Sequence, residues 1–288
     1  MPNGIVIIDK PADWTSMDVC AKLRGILNER RIGHGGTLDP MATGVLPVFV
    51  GQATRAVEFA ENGEKEYLAG LRLGQVTDTE DTSGRVLETF PVTVTATDVA
   101  AALESFRGPI QQVPPMYSAI KIQGKKLYEL ARKGQEVERK PRSVTIYELE
   151  LVEQVNETDY VLRCRCSKGT YVRTLCHDIG RALGCGGAMY SLRRTMAAGF
   201  TLDDAVTLED VQRQGEELLL PTDSLFSQHP ILLLKSDKLE KRVRCGNPIS
   251  LPGTADGTYR VYSQDRQFLC LSQARGGTLT SIKNFFGA

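Results

Sequence analysis

The chain has 288 residues, enough to bury a large core, and length alone suggests one to two domains. Its 41% hydrophobic and 24% charged residues are those of an ordinary globular protein, and 35 Lys and Arg balance 35 Asp and Glu, which excludes a uniformly basic nucleic-acid binder. No apolar run approaches the roughly 18 residues of a membrane span, and the start lacks a basic n-region and a small-residue cleavage site, so the cytoplasm is the expected compartment.

Residues 4–8 form a short apolar run before Asp9-Lys10-Pro11, a buried strand ending in a turn. Thr15 or Ser16 can cap a helix whose apolar positions Val19, Leu23, Ile26 and Leu27 keep helical spacing and which ends near Asn28. The next stretch, residues 31–47, is crowded with backbone-bending residues: Gly33, Gly35, Gly36, Pro40, Gly44 and Pro47. Asp39 sits near its middle, and the following proline biases it towards an extended or turn geometry. Glycines on both sides would let another molecule's backbone come close. An ordinary Asx-type turn satisfies the same pattern. A strand over 45–50 and a short helix over 52–60 are expected to follow.

Residues 65–73 alternate, with Tyr67, Ala69, Leu71 and Leu73 on one face. A polar loop over 77–83 precedes a strand at 85–89, and Thr97 or Asp98 caps a helix through Val99, Leu103 and Phe106. Residues 109–121 read as rigid and extended, and 125–133 as a short basic helix. Two long alternating strands, 142–155 and 160–166, make a hairpin. A helix follows Lys168-Gly169-Thr170 with Val172, Leu175, Cys176, Ile179 and Leu183 towards the core, placing Arg173 and His177 at the edge of that stripe, facing a cleft. A strand at 192–200 and a short helix at 206–212 capped by Thr207 complete the body. From about Pro230 onward short strands are separated by Gly and Pro turns, as in a small all-β module. The expected architecture is therefore α+β: a mostly antiparallel mixed sheet with packed helices over 1–229, and an all-β module over 230–288.

Seven irregularly spaced cysteines contain no C-x-x-C pair, and Cys164 and Cys166 alternate with arginines as inward-facing small hydrophobes would. His34, His177 and His229 lie far apart, so no metal site is expected. Neither a G-x-G-x-x-G after a strand nor a P-loop occurs, which removes the usual evidence for a nucleotide cofactor. Charge is unevenly placed: residues 121–143 hold eight Lys or Arg against three Glu, and 58–88 hold eight acids against three bases. A basic segment can steer a polyanion to one face, although solvated surface accounts for both runs equally well. What remains for chemistry is a carboxylate, Asp39, with Tyr67 and Arg173. An arginine beside it would keep the carboxylate ionised and aimed, while each of the three also fits a purely structural role.

The run Gly33 to Pro47, G-H-G-G-T-L-D-P-M-A-T-G-V-L-P, resembles the signature of the TruB family of tRNA pseudouridine synthases. Likeness continues through Asp9-Lys10-Pro11, Lys65-Glu66-Tyr67, residues 114–121, residues 128–134, Gly169 to Leu175, and Leu192-Arg193-Arg194. The visible departure is Gly35, where relatives carry Thr or Ala, and which leaves the loop more flexible. The resemblance implies the pseudouridine synthase fold with a C-terminal PUA-like RNA-binding module carrying Lys238, Lys241, Arg242 and Arg244, and a mobile RNA-gripping arm at 121–143. It implies isomerisation of uridine at position 55 in the T-loop of tRNA, with no cofactor or metal. Asp39 would be the catalytic aspartate, Tyr67 the tyrosine that stacks on the flipped base and takes its C5 proton, and Arg173 the partner of the aspartate. His34 would fill the space left by the extruded nucleotide, Tyr171 and Leu192 would contact substrate, and Lys10 would support the pocket. The expected partner is tRNA alone, bound by a monomer without guide RNA or membrane. A guide-dependent synthase of the same superfamily and an RNA chaperone that refolds tRNA are the other two readings.

Overall fold

The computed structural model describes residues 1–118, 120–122, 124–131 and 133–286, apart from the side chains of Lys121, Ile122 and Lys126. The first strand, β1 (Gly4–Lys10), is apolar on both faces because both are covered. Its outer edge is closed by backbone bonds from Ile5 to Leu220 at 2.8 Å and from Asp9 to Val206 at 2.9 Å, so it offers no free edge. Helix α1 (Ser16–Leu27) starts in a capping box in which Thr15 and Asp18 satisfy each other's backbone N–H, and it ends at Asn28 in the left-handed region. The glycine-rich stretch is then partly strand. β2 (Ile32–His34) pairs with β3 (Thr43–Val50), so the true loop is confined to residues 35–42. After a 3-10 turn come α2 (Val57–Asn62) and β4 (Lys65–Leu73), followed by a hairpin of β5 (Gln75–Thr77) and β6 (Val86–Thr89).

Helix α3 (Ala96–Leu103) is capped by Thr95, not by Thr97 or Asp98, because Thr95 and Asp98 stand at the spacing that closes a capping box. β7 (Gly108–Gln112) leads to a small hairpin of β8 (Lys121–Ile122) and β9 (Lys125–Lys126), and then to α4 (Leu127–Ala131). The helix expected at 125–133 is thus shorter, its first two residues being committed to the hairpin; Gln123 and Arg132 of the expected arm lie outside the described residues. β10 (Arg142–Gln154) and β11 (Asp159–Cys166) form the expected hairpin. α5 (Val172–Ala182) precedes β12 (Gly187–Ala197), β13 (Phe200–Thr201) and α6 (Leu208–Gln214), the last capped by Thr207 as expected. β12 begins five residues before the expected 192, because Gly187 is not a turn residue but a point of close packing: a Cβ at Gly180 would stand 2.2 Å from its backbone nitrogen. Glycines at both positions let α5 lie directly on the strand.

These strands make one nine-stranded sheet in the order β1-β3-β12-β4-β11-β10-β7, with β2 and β13 attached to β3 and β12. All pairs are antiparallel except β3 with β12, joined through Arg193 opposite Thr43 and Arg194 opposite Gly44. Only glycine fits at that joint, since Gly44 has φ +99° and a Cβ would come within 2.2 Å of the Arg194 carbonyl oxygen. α3 and α5 cover one part of the sheet, packing Val99, Leu103, Leu175 and Ile179 on Leu71, Leu149 and Leu162. α1 and α6 cover β1 to β3. The mixed, mostly antiparallel α+β architecture agrees with the expectation.

The C-terminal strands β14 (Ile231–Leu233), β15 (Ile249–Ser250), β16 (Gly257–Tyr262), β17 (Phe268–Arg275) and β18 (Thr278–Asn284) form a second sheet of five. One helix, α7 (Asp237–Arg244), interrupts this otherwise all-β region; the pattern conceals it because only Val243 of its eight residues is buried. The sheet docks on the body through Phe59, Phe226, Phe268 and Phe285, with ring centroids 5.2 to 5.5 Å apart for the Phe59–Phe226, Phe226–Phe285 and Phe268–Phe285 pairs. Among the described residues no helix is long and apolar enough to cross a membrane.

Gly35 is packed, contrary to the flexible loop expected there. A Cβ would lie 2.7 Å from the Ala60 Cβ and 3.0 Å from the Phe49 ring, both in the core. Gly35→Ala is expected to cost about 1–3 kcal/mol by overpacking, read as a lower urea midpoint with an unchanged m-value.

Candidate active site

Asp39 is aimed by bonds to the residues on either side of it. Ser16 Oγ, 1% exposed at the start of α1, accepts from the Leu38 N–H at 2.9 Å and donates to the Leu38 carbonyl at 3.3 Å. On the other side the Pro40 carbonyl accepts from Lys10 Nζ at 3.1 Å and from the Asp13 N–H at 2.9 Å. Lys10 is fully buried, and its ammonium also donates to the carbonyls of Trp14 at 2.5 Å and Pro11 at 2.8 Å. Burial pushes its pKa down, with Asp13 and then Asp39 opposing. Lys10 therefore supports the loop from beneath and does not line the cleft.

Arg173 enters from the first turn of α5. That turn is fastened to β7 by Gln112, 1% exposed, which accepts from the Tyr171 N–H at 3.0 Å and donates to the Tyr171 carbonyl at 3.2 Å. Arg173 is 6% exposed, with Nε 3.0 Å from Asp39 Oδ2 and Nη2 3.4 Å from Asp39 Oδ1. Its remaining donors go to the carbonyls of Tyr117 at 2.9 Å and Thr79 at 3.2 Å, and Nη1 lies 3.7 Å from the Asp81 carboxylate. Asp81 is itself held by Thr79 Oγ1 at 2.8 Å and by the Ser83 N–H at 3.0 Å. The same turn reaches α5 a second time, where Thr174 Oγ1 donates to Glu80 Oε2 at 2.5 Å. Burial pushes the Asp39 carboxyl above its ordinary value; Arg173 pulls it back, Asp81 adds to the rise and Lys10 opposes it.

A cleft of about 840 Å³ opens over this pair, lined by Asp39, Tyr67, Arg173, Tyr171, Leu192 and Arg194 among others. Tyr67 stands on β4 directly across from Arg194 on β12 and is 7% exposed. Burial pushes its phenol up to about 12, with Arg194 pulling the other way. Burial also raises Tyr171. Arg194 is 1% exposed, with Nε donating to the Val45 carbonyl at 2.7 Å and Nη2 to the Gly36 carbonyl at 3.2 Å. Five of the seven expected site residues, Asp39, Tyr67, Arg173, Tyr171 and Leu192, thus share one cleft. His34 does not line it: the residue lies on β2 opposite Val48, and burial, then Arg194, push its imidazole pKa down. His177 is also outside the lining.

Sequence reasoning misses Ser16 as a loop clamp, Gln112, Asp81 and the role of Arg194. Only Arg194 leaves a signal. In Leu192-Arg193-Arg194 it shares a strand face with Leu192, which places a cation on the inward side. Among the described residues no group of three or more His, Cys, Asp or Glu side chains could hold a metal ion.

Comparison with known proteins places the chain in a family. A family model described as TruB family pseudouridylate synthase, N-terminal domain, matches residues 24–172, and one described as tRNA pseudouridylate synthase B C-terminal domain matches residues 173–227. A tRNA pseudouridine synthase B from Alkaliphilus oremlandii is 49% identical over 249 residues, covering 86% of this chain and 83% of the relative. One from Clostridium kluyveri is 40% identical, covering 98% of this chain and 99% of the relative. Among solved structures, a Cbf5–Nop10–Gar1 complex contains a chain with TM-score 0.75 and 27% identity, covering 98% of this chain and 85% of that one. The fold is that of a pseudouridine synthase. Within that class the chain belongs to the TruB family.

The charges around Asp39 set opposite expectations for two variants. Removing the cation in Arg173→Met should raise the Asp39 carboxyl further above 3.8, while removing the anion in Asp81→Asn should lower it. Carbon-13 NMR titration of the Asp39 carboxyl reads both, and shifts of the same sign would contradict the arrangement.

Proposed function

We propose that this protein isomerises uridine to pseudouridine at position 55 in the T-loop of tRNA, acting on the RNA without a guide. The observation that carries this reading is the Arg173–Asp39 pair, rigidly mounted on the cleft floor, with Tyr67 on the adjoining wall. The N1–C1′ bond breaks, the base turns in place, C5 bonds to C1′, the C5 proton leaves and N1 takes up a proton. Because the reaction is an isomerisation, no group is lost and no co-reactant is consumed.

A uridine inside a folded loop must first be flipped out, at a cost of a few kcal/mol. The ring face of Tyr67, with the Leu192 side chain, then replaces its stacking partners. Asp39 supplies the negative charge and Arg173 holds it ionised and oriented, which a carboxyl raised by burial requires. The phenol of Tyr67, pushed up to about 12, is protonated at neutral pH, so its stacking role needs no ionisation. Acceptance of the C5 proton would draw on Arg194, whose charge favours the phenolate. His34, outside the cleft on β2, is assigned to the space the nucleotide leaves in the RNA. The segment 121–143 grips the stem, with Lys125, Lys133, Lys140 and Arg142 exposed along it, and residues 230–288 form a PUA-like module that adds phosphate-binding surface. Relatives named tRNA pseudouridine synthase B at 40 to 49% identity support tRNA as substrate.

Tritium release from C5-labelled uridine in a T-arm transcript, with no guide RNA present, tests the activity. Asp39→Asn is expected to reduce it by on the order of 10³-fold or more while tRNA binding and refolding persist. Isomerisation at the wild-type rate would remove the carboxylate from the chemistry. Replacing Lys125, Lys133 and Lys140 by Ala should flatten the dependence of tRNA affinity on salt, by a slope of about 0.7–0.9 for each phosphate no longer neutralised; an unchanged slope would make the segment a solvated face.

A further inference from the structure

The wall of the cleft beside Tyr67 carries positive charge beyond the Arg194 that acts on the Tyr67 phenol. Lys65 lies two residues before Tyr67 on the same face of β4, is 7% exposed and lines the cleft. Its Nζ donates to the carbonyls of Glu61 and Gly63, both at 2.7 Å, where α2 ends. An ammonium has three N–H donors, so these two bonds leave one for a further acceptor. Arg194 stands next to it, bonded to the Val45 and Gly36 carbonyls and facing the Tyr67 hydroxyl, all of them uncharged. Outside the lining, exposed Lys168 donates from Nζ to the neutral Asn62 side chain at 2.7 Å. Among the described residues none of these three cations forms an ion pair, whereas Arg173 on the cleft floor is paired with both Asp39 and Asp81. A buried cation ordinarily has an anionic partner. Here the partner's place opens onto the cleft.

We propose that Lys65, backed by the charge of Arg194, is the anion-binding position of this cleft and takes a phosphodiester oxygen of the flipped nucleotide. The inference rests on the reading of the protein as a uridine isomerase acting on RNA, and it adds a substrate contact to that reading. The groups that act on Lys65 are consistent with a site lacking its anion. Burial pushes the amine down to about 8 and Arg194 lowers it further, while Cys166 and Glu61 raise it and Lys168 lowers it. Glu61 sits exposed at the rim and forms no ion pair with Lys65, so it does not occupy the position. A phosphate oxygen on the third donor would favour the charged amine and raise its pKa. RNA binding near pH 8 would then take up a proton.

The test uses the whole protein and a T-arm RNA that already carries pseudouridine, so that no turnover accompanies binding. Calorimetry at pH 8 in buffers of different ionisation enthalpy should show uptake of up to about half a proton per RNA, as a group titrating at about 8 requires. In Lys65→Met the uptake should disappear, and the slope of log affinity against log salt should fall by about 0.7–0.9. A purely structural role, in which Lys65 only caps α2, would move neither quantity beyond a uniform loss of affinity. Uptake and slope equal to wild type in the variant overturn the proposal. Should Lys65→Met not fold, absence of uptake in the wild-type protein overturns it by itself. Tritium release by the wild-type protein from the unmodified RNA reports separately on the parent reading.

Discussion

The placement of one carboxylate governs this molecule. Asp39 lies on an eight-residue loop, residues 35–42, that has no regular structure of its own, and a loop carboxylate would ordinarily sample many rotamers. Rigidity is imposed on its neighbours instead. Ser16 closes two bonds on Leu38, Lys10 and Asp13 hold the Pro40 carbonyl, and Leu38 and Ala42 are buried in the main core. The carboxylate then meets a guanidinium whose donors are shared among Asp39, Asp81, Thr79 and Tyr117. An exposed ion pair would contribute about 0–1 kcal/mol, but Arg173 is 6% exposed, so removing one partner leaves a charge in a poorly solvated place. Geometry and electrostatics therefore depend on the same few bonds.

The topology explains how those bonds come to meet. The loop leaves β2 and enters β3, and β3 joins β12 by the one parallel pairing of the sheet, at Gly44 opposite Arg194. β12 pairs in turn with β4, which carries Lys65 and Tyr67. α5, laid on β12 through Gly180 and Gly187, delivers Arg173 from its first turn. Residues separated by more than a hundred positions thus converge because the glycines at 44, 180 and 187 permit approaches that any side chain would block.

Much of this is readable in the sequence. The alternation over 65–73, the hairpin of β10 and β11, the helix carrying Arg173 and the β-rich C-terminus all follow from periodicity, since each buries one face. The site is legible as far as its motifs, which name Asp39, Tyr67, Arg173, Tyr171 and Leu192. What stays hidden is long-range. Nothing local shows that Ser16 bonds Leu38, 22 positions away, or that Gln112 fastens Tyr171, 59 positions away. α7 escapes notice because a helix with a single buried residue has no apolar stripe to detect, and Gly35 misleads because a glycine needed for space looks in sequence like one needed for freedom.

The charge runs illustrate the same limit with the opposite outcome. On composition, the acidic stretch 58–88 reads as solvated surface, yet its Asp81 is 5% exposed and faces Arg173, and its Glu80 bonds Thr174. Those two acids are consumed inside the protein, fixing the helix that carries Arg173. Among the described residues the cations of the neighbouring wall, Lys65 and Arg194, bond uncharged groups and form no ion pair, and both line the cleft. A chain with zero net charge can in this way present a locally positive wall to a polyanion, because Asp81 and Glu80 are spent on fixing α5 while Lys65 and Arg194 form no ion pair among the described residues.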